Sequence, residues 1–275
     1  MLALLLLFVL PAAAIFVIAL TDWQLGSGEL SFIGLKNFRV LLVDPEFYNS
    51  LRNSAVYTLL VLPMTVGLGL GVALLIESGR GLRAFYRATH FLPVMATMAA
   101  MAIAWEVLLH PVMGLATHAL GALGLPTVNW LKSRDAVLPT LAVIGVWQNF
   151  GYAMVLFLAG LKVIPQDLYE AAAVDGVENS LDRLRTVTLP MLGPTTLFVT
   201  IIITLRSLEV FDTVNILTRG GPEQSSEVLL YTLYVESFGY LRTGYGASIT
   251  VVFLLMVTSL LLLQTRIMDR RVHYS

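Results

Sequence analysis

Charged and polar side chains interrupt the second half of the sequence within stretches that are otherwise apolar. Arg206, Glu209 and Asp212 follow one another at intervals of three residues, with Ser207 and Asn215 beside them. On an α-helix, this spacing places the three charges on one face. Charged groups at membrane depth face a bundle interior or a water-filled cavity, because lipid solvates them poorly. The stripe indicates either a solute passage lined by Glu209, Asp212 and Asn215, or an ion pair of Arg206 with Glu209 that joins two subunits.

A second polar group lies near the middle of another apolar stretch. Trp147, Gln148, Asn149 and Tyr152 combine aromatic rings with planar amides. Carbohydrate hydroxyls need such partners once water is removed, since an unpaired buried polar group costs about 1 to 3 kcal/mol. Trp and Tyr also anchor helices at membrane interfaces, but this cluster falls in mid-stretch. We therefore expect these four residues to line a substrate pathway.

Several kinds of chemistry find no support in the sequence. It contains no cysteine, and its four histidines are scattered without metal-ligand spacing, so we expect no metal site. The formal net charge of −1 removes any case for nucleic-acid binding. No Gly-rich loop ending in Gly-Lys-Ser/Thr is present to hold the phosphates of a nucleotide. A membrane-embedded enzyme would need clustered acids or histidines, whereas the acids here are dispersed.

The composition is that of a membrane protein. Hydrophobic residues make up 57% of the 275 residues and charged residues 13%, whereas soluble domains carry about 25% charged residues. A span needs about 20 predominantly apolar residues. By this criterion, we predict an all-α integral membrane protein with a single domain over 1–275. Its six transmembrane helices are expected at 2–20, 55–76, 91–109, 136–161, 191–217 and 243–265. A cleaved signal peptide is the alternative for the first segment, but no positive stretch precedes it.

The distribution of basic residues predicts the orientation of these spans. Lys and Arg in short loops concentrate on the cytoplasmic side. The loops after the second and fourth spans and the C-terminal tail hold nine of them: Arg80, Arg83, Arg87, Lys162, Arg183, Arg185, Arg266, Arg270 and Arg271. The opposite loops hold seven, spread over more sequence. We therefore expect both termini in the cytoplasm.

The loop at 162–190 predicts a helical hairpin on the cytoplasmic side. Pro165 suits the first position of a helix, where its missing N–H costs nothing. Asp167 would lie at the positive end of the helix dipole. The three alanines that begin at Ala171 favour helix and leave a smooth surface. Gly176 can adopt the left-handed conformation that ends the helix.

A second short helix follows in the same loop. Asn179 or Ser180 would cap its beginning, and we expect it to stop before Pro190. A hairpin of this kind suits docking into a groove of a partner protein. The alternative is an amphipathic surface helix without a partner.

This loop resembles the EAA loop of bacterial ABC-importer permeases. The residues that carry the resemblance are Glu170, Ala171 and Ala172, then Asp175 and Gly176, then Leu189 and Pro190, followed by Pro194. In that family, the loop is the coupling helix, which sits in a cleft of the ATP-binding subunit. Val177 departs from the usual alanine, and Leu184 stands where an aromatic residue is frequent.

The resemblance extends along nearly the whole chain to the maltose-type carbohydrate permeases. The matching fragments are Thr21-Asp22-Trp23, Phe32 to Phe38, Arg87 with Leu92-Pro93, Leu158 to Leu161 with Ile164-Pro165, Phe211-Asp212, and Leu217 to Pro222. The last fragment contains Gly220, Gly221 and Pro222, which predict an extracytoplasmic loop. Such a loop could reach into a binding protein or the pore mouth, or be an ordinary turn.

The resemblance implies the type I ABC-importer permease fold in a prokaryotic cytoplasmic (inner) membrane. It implies a second homologous permease subunit, two ATP-binding subunits that carry ATP and Mg²⁺, and an extracytoplasmic sugar-binding protein. This chain would hold no cofactor and perform no bond-making chemistry. The substrate would be a monosaccharide, disaccharide, oligosaccharide or glycerol 3-phosphate. A secondary, ion-coupled transporter is the alternative, which would show internal repeats and broken helices meeting at the midplane.

Overall fold

The computed structural model describes residues 5–79, 81–124, 128–177 and 179–269. These residues are mostly helical, with an isolated β-bridge between Thr21 and Phe32. The beginning of the predicted span 2–20 lies outside the described residues, as do three of the basic residues that predict the orientation: Arg80, Arg270 and Arg271.

The α-helices follow one another along the chain with short connections. They are α1 (Leu10–Ile18), α2 (Lys36–Leu41), α3 (Pro45–Ser78), α4 (Arg83–Met95), α5 (Met98–Leu108), α6 (Leu115–Ala122), α7 (Val137–Val163), α8 (Gln166–Val174), α9 (Ser180–Arg183), α10 (Leu189–Met191), α11 (Gly193–Leu208), α12 (Leu229–Tyr234) and α13 (Thr243–Asp269). Wider π-helical turns occupy Leu5–Val9, Leu184–Thr188, Val214–Thr218 and Val235–Gly239.

Several of these helices are suited to crossing a membrane. Within the described residues, three are long and apolar enough: α3, α7 and the part Thr243–Ile267 of α13. Two bent pairs, Arg83–Met95 with Met98–Leu108 and Ser180–Met191 with Gly193–Leu208, raise the number to five if each pair forms one broken span. With 34 residues, α3 is about 51 Å long. It begins well before the predicted span 55–76, because a helix can continue beyond the apolar stretch that the bilayer requires.

The third and fifth predicted spans, 91–109 and 191–217, are interrupted. The helix α4 ends at Met95 and α5 follows at a bend of 98°. Pro93 lies just before this break, and its missing N–H removes a helical hydrogen bond. The helix α11 ends at Leu208, and the chain leaves helical conformation before the π-helical turn Val214–Thr218. Apolar content, from which we predicted the spans, does not register such breaks.

The described residues form two compact units. The first comprises Met1–Tyr57, Met98–Leu141 and Leu208–Ser259, and the second comprises Thr58–Thr97, Ala142–Ser207 and Leu260–Ser275. In the first unit, Ala19 and Val251 belong to one buried cluster that joins α1 to α13. The buried Asn37 side chain donates to the carbonyls of Ala19 and Thr21 at 2.9 and 2.8 Å, which fixes the chain that leaves α1.

The second unit is built around α7. Met154 and Phe157 are fully buried in its core. Glycines permit close helix packing there: a Cβ on Gly69 would lie 2.6 Å from the Cβ of Ala153, and one on Gly151 would lie 2.0 Å from the carbonyl oxygen of His90. Small residues at helix contacts are how membrane helices approach closely, since lipid provides no hydrophobic drive between them.

These contacts predict that Gly151→Ala destabilises the second unit. The added methyl group would overlap the His90 carbonyl, and overpacking of this kind costs about 1 to 3 kcal/mol. We expect the midpoint of thermal unfolding in detergent to fall by roughly 5 °C. The matched control is Gly67→Ala, because Gly67 lies on α3 and a methyl group added there would have nothing within 4 Å. This control should leave the midpoint unchanged or slightly higher. Equal midpoints for the Gly151 variant and the natural protein would contradict this packing.

Candidate functional site

The first arm of the predicted hairpin is the helix α8. It begins at Gln166, and Pro165 precedes it as the N-terminal cap in an extended conformation, one residue earlier than predicted. Asp167 lies in the first turn as expected, where its charge is stabilised by the helix dipole. None of the residues of α8 is buried.

The end of α8 is a Schellman motif. Gly176 has a φ of +87°, which confirms the predicted left-handed conformation. The N–H of Gly176 donates to the Ala173 carbonyl at 3.1 Å, and the N–H of Val177 donates to the Ala172 carbonyl at 2.9 Å. These two bonds satisfy carbonyls that the helix end would otherwise leave without partners.

The second arm begins as predicted and ends differently. The side chain of Asn179 accepts from the N–H of Leu181 at 3.1 Å, which confirms the cap. The prediction that the helix stops before Pro190 is wrong, because helical structure continues to Met191 and then bends by 70° into α11. Pro190 lies at the beginning of α10, a position where a helix tolerates a missing N–H.

Side chains tie the two arms together. The hydroxyl groups of Tyr169 and Thr188 lie 3.1 Å apart, and Thr188 is buried. The guanidinium carbon of Arg183 lies 5.1 Å from the centre of the Tyr169 ring, within range of a cation–π interaction. The hairpin is therefore a defined structure, whereas an isolated helix as short as α8 would be marginal in water.

The outward face of the hairpin consists of residues that the sequence predicted for coupling. Ala172 is half-buried, and the others are exposed: Glu170, Ala171, Asp175, Gly176, Leu189 and Pro190. Val174, one helical turn after Glu170, is 87% exposed. A surface that combines a carboxylate, alanines and an exposed valine has the composition of a helix that docks into a protein groove.

The structure brings together two of the predicted pathway residues with Arg206. The side-chain amide of Asn149 donates to the Gly145 carbonyl at 2.8 Å. Arg206 donates to the Asn149 side-chain oxygen at 3.2 Å, and its guanidinium carbon lies 4.4 Å from the centre of the Tyr152 ring. Trp147 and Gln148 lie half-buried on the same helix, α7.

The predicted charged face of the fifth span is wrong in its geometry. Because α11 ends at Leu208, the helical spacing from Arg206 does not continue to Glu209 and Asp212. Those two residues are exposed and Asn215 is half-buried, all within the first unit. Arg206 itself keeps an exposed side chain. At membrane depth, an exposed guanidinium requires water or another protein chain around it, which favours a position on a pathway or at a subunit contact.

The predicted outer loop has a fixed conformation. Gly220 has a φ of +80°, which is accessible to glycine at little cost. The Ser226 hydroxyl contacts the Gly221 carbonyl at 2.6 Å and the Thr218 hydroxyl at 2.8 Å. On α3, Asn53 donates to the backbone carbonyls of the same loop at positions 224 and 227, at 3.0 and 2.9 Å. Gly220, Gly221 and Pro222 thus belong to an anchored loop.

Sequence reasoning missed a group of carboxylates next to this loop. Glu46, Glu227 and Glu236 line one small cavity within the first unit. Glu236 is buried and accepts from Arg242 at 2.6 Å. Because Glu46 is far from the other two in the chain, no spacing in the sequence signals the group. The only sequence signal is the presence of two glutamates around the apolar helix α12.

Comparison with known proteins shows sequence relatives along most of the chain. The 31%-identical sn-glycerol-3-phosphate transport system permease protein UgpA of Agrobacterium fabrum aligns over 245 residues, 89% of this chain and 83% of its own length. The probable ABC transporter permease protein YurN of Bacillus subtilis is 33% identical over 254 residues, 90% of this chain and 86% of its own length.

Solved structures show the same fold. A chain from the crystal structure of a bacterial ABC transporter that imports the acidic polysaccharide alginate superposes with a TM-score of 0.84, at 21% identity, over 97% of this chain and 91% of its own length. A chain of the same kind of transporter, in complex with an alginate pentasaccharide-bound periplasmic protein, also has a TM-score of 0.84, at 20% identity and with coverages of 97% and 90%. The predicted permease fold is confirmed. The two bent helix pairs, α4 with α5 and α9–α10 with α11, are part of the chain that has this fold.

The family model for binding-protein-dependent transport system inner membrane components matches residues 4–274. This match confirms the resemblance predicted from the motifs. The chain therefore belongs to the family of binding-protein-dependent transport system inner membrane components.

Proposed function

We propose that this chain is one of two homologous permease subunits of an ATP-driven sugar importer and forms half of its translocation pathway. The observation that carries the proposal is the exposed hairpin formed by α8 and by α9 to α10, which presents a surface on which a separate ATP-binding subunit can dock. The membership of the family supports the dependence on a binding protein.

In this proposal, two ATP-binding subunits receive the hairpins of the two permeases. Glu170 and Asp175 supply charge, while Ala171 and Ala172 allow close approach and Gly176 ends the docking helix. Leu189 and Pro190 lie where the hairpin continues towards α11, so they transmit its movement to a span. ATP and Mg²⁺ stay on the ATP-binding subunits, and this chain makes and breaks no bonds.

Transport follows from a shift between two states. Nucleotide binding closes the ATP-binding subunits, pulls the hairpins together and favours the outward-facing state; hydrolysis restores the inward-facing one. The hairpin and both termini then lie in the cytoplasm of a prokaryote, and the loop of Gly220 to Pro222 faces the extracytoplasmic binding protein.

The proposed pathway residues suit a hydroxyl-rich substrate. Trp147 and Tyr152 provide aromatic surface, and Gln148 and Asn149 provide amides. Glu209, Asp212 and Asn215 would offer further hydrogen-bonding groups. A sugar fits the aromatic rings and amides of α7, and Arg206 beside them would accommodate a phosphorylated substrate such as glycerol 3-phosphate, because a guanidinium pairs well with phosphate. UgpA is named for that substrate, and the structurally similar transporter is involved in the import of alginate.

Uptake by the reconstituted complex tests the proposal. We expect the chain to copurify with an ATP-binding subunit and to drive uptake of one member of a panel of radiolabelled sugars and glycerol 3-phosphate in the presence of the cognate binding protein. Uptake should stop on ATP depletion and survive an uncoupler. Uptake that survives ATP depletion and stops with the uncoupler would instead identify an ion-coupled transporter.

A further inference from the structure

A small cavity in the first unit carries more negative than positive groups. It has a volume of about 160 Å³ and lies between the beginning of α3, the loop after Thr218 and the helix α12 with the π-helical turn that follows. The side chains that matter here are those of Glu46, Arg219, Glu227, Tyr231, Glu236 and Tyr240. We refer to it as the carboxylate pocket.

Glu236 is the buried member of the pocket. The residue is 2% exposed. One of its carboxylate oxygens accepts from Arg242 at 2.6 Å, whereas the other, Oε2, is buried without a partner among the described residues. A buried carboxylate oxygen without a donor is costly, so Arg242 satisfies the negative charge of Glu236 only in part, and a further positive group in the pocket would be favoured.

The other two carboxylates are held in place around the pocket. Gln224 donates to Glu46 at 3.0 Å, and the Thr232 hydroxyl donates to Glu227 at 3.0 Å. Burial raises the pKa of Glu227 above the ordinary value of a glutamate, the Thr232 bond opposes that rise, and the charges of Glu46, Glu236 and Asp44 raise the pKa further. Like charges kept together at such a cost are typical of functional sites.

The side chains of the pocket favour an organic cation over a metal ion. Among the described residues, no group of three His, Cys, Asp or Glu side chains is placed to hold a metal ion. The three carboxylates outnumber the guanidinium groups of Arg219 and Arg242, and Tyr231 and Tyr240 contribute aromatic rings. An ammonium or guanidinium group satisfies carboxylates with several N–H donors and also packs on aromatic rings.

The size of the pocket favours the end of a side chain over a larger free ligand. Sites for small molecules span about 300 to 1,000 Å³, whereas 160 Å³ accommodates the end of one long side chain. The pocket includes Arg219 and Gln224, which lie on either side of the loop of Gly220 to Pro222 that is proposed above to face the binding protein. We propose that the carboxylate pocket receives a lysine or arginine side chain of the extracytoplasmic binding protein. This inference rests on the proposed function.

Titration of the binding protein against the reconstituted complex tests the pocket. ATPase activity is measured as binding protein is added to complexes that carry Glu46→Gln, Glu227→Gln or the control Glu29→Gln, whose side chain is exposed on another predicted outer loop. We expect each pocket variant to raise the half-saturating concentration about fivefold at low salt, because a desolvated charge pair is lost. The increase should largely persist at high salt, because buried charge pairs are screened much less than exposed ones. At saturating binding protein, the variants should reach the ATPase rate of the natural complex, and the half-saturating concentration of Glu29→Gln should equal that of the natural complex.

Other results would overturn the inference. Equal half-saturating concentrations in all complexes would show that no basic side chain enters the pocket. If the pocket variants leave the titration unchanged but alter the response of the ATPase to added methylammonium, the occupant is a free cation. If no binding protein stimulates the ATPase activity of the natural complex, the proposed function itself is wrong. If the natural complex is stimulated and the pocket variants titrate as it does, only the inference about the pocket is wrong.

The pH dependence gives a second readout. The pKa of Glu227 is raised, so its carboxyl takes up a proton at a higher pH than an ordinary glutamate. The charged and titratable groups around it are Glu46, Glu236, Asp44, Tyr231 and Arg219. Lowering the pH should therefore raise the half-saturating concentration of the natural complex towards that of Glu227→Gln, so that their ratio falls. A ratio that is constant with pH would contradict an ionised Glu227 as the binding group.

Discussion

Glu170→Lys and Gly176→Pro are each expected to abolish association with the ATP-binding subunit while membrane insertion continues. Lysine reverses the charge at the centre of the exposed face of α8. Proline at position 176 can neither adopt the φ of +87° found there nor donate to the Ala173 carbonyl, so the Schellman motif is lost. We expect the yield of ATP-binding subunit that copurifies with the permease to fall at least about tenfold, as for the loss of a buried interfacial contact.

The control for this pair is a charge reversal outside the hairpin. Glu29→Lys changes an exposed glutamate in the first unit and should copurify with the ATP-binding subunit as the natural chain does. Insertion is checked by the amount of each variant in washed membranes. If both hairpin variants insert and retain the ATP-binding subunit in natural amounts, the hairpin is not the docking element.

The second large effect is expected at Arg206. Alanine removes both the hydrogen bond to Asn149 and the stacking on Tyr152, and lysine keeps the charge but lacks the planar group that makes both contacts. We expect Arg206→Ala to reduce ATP-driven uptake about 100-fold and Arg206→Lys about tenfold, in line with the loss of one charge-assisted hydrogen bond and one cation–π contact. Stimulation of the ATPase by the binding protein should persist, since the hairpin is unchanged.

Arg39→Ala is the matched control for Arg206. Arg39 is an exposed arginine in the last turn of α2, remote in sequence from the proposed pathway, and its loss should leave uptake unchanged. Substrate uptake into proteoliposomes and ATPase activity are measured on the same preparations. Natural uptake by both Arg206 variants would exclude this residue from the pathway and from any subunit contact that transport requires.

The hairpin was predictable because its signals are local. The cap at Asn179 and the left-handed Gly176 each act within a few residues of chain, and both were confirmed. The end of the second arm was not, because Pro190 could either stop a helix or begin a new segment. The structure shows the second possibility, which depends on how α11 packs against α7.

The pathway and the carboxylate pocket depend on contacts between distant parts of the chain. Arg206 and Asn149 are 57 residues apart, so their pairing follows from the packing of α11 on α7 and not from any helical spacing. The break after Leu208 also escapes prediction, since hydropathy is blind to backbone conformation. Glu46 and Gln224 are 178 residues apart, and only the folded first unit brings them together.

Chemical cross-linking from a single cysteine tests the central claim most directly. The chain contains no cysteine, so Val174→Cys places one thiol on the exposed face of α8, where the natural side chain is 87% exposed. In inside-out vesicles that contain the ATP-binding subunit, a short thiol-to-amine cross-linker should join the two chains in one adduct. If the thiol yields no adduct and reacts instead with a membrane-impermeant maleimide added outside intact cells, the hairpin does not lie in the cytoplasm and does not dock on the ATP-binding subunit.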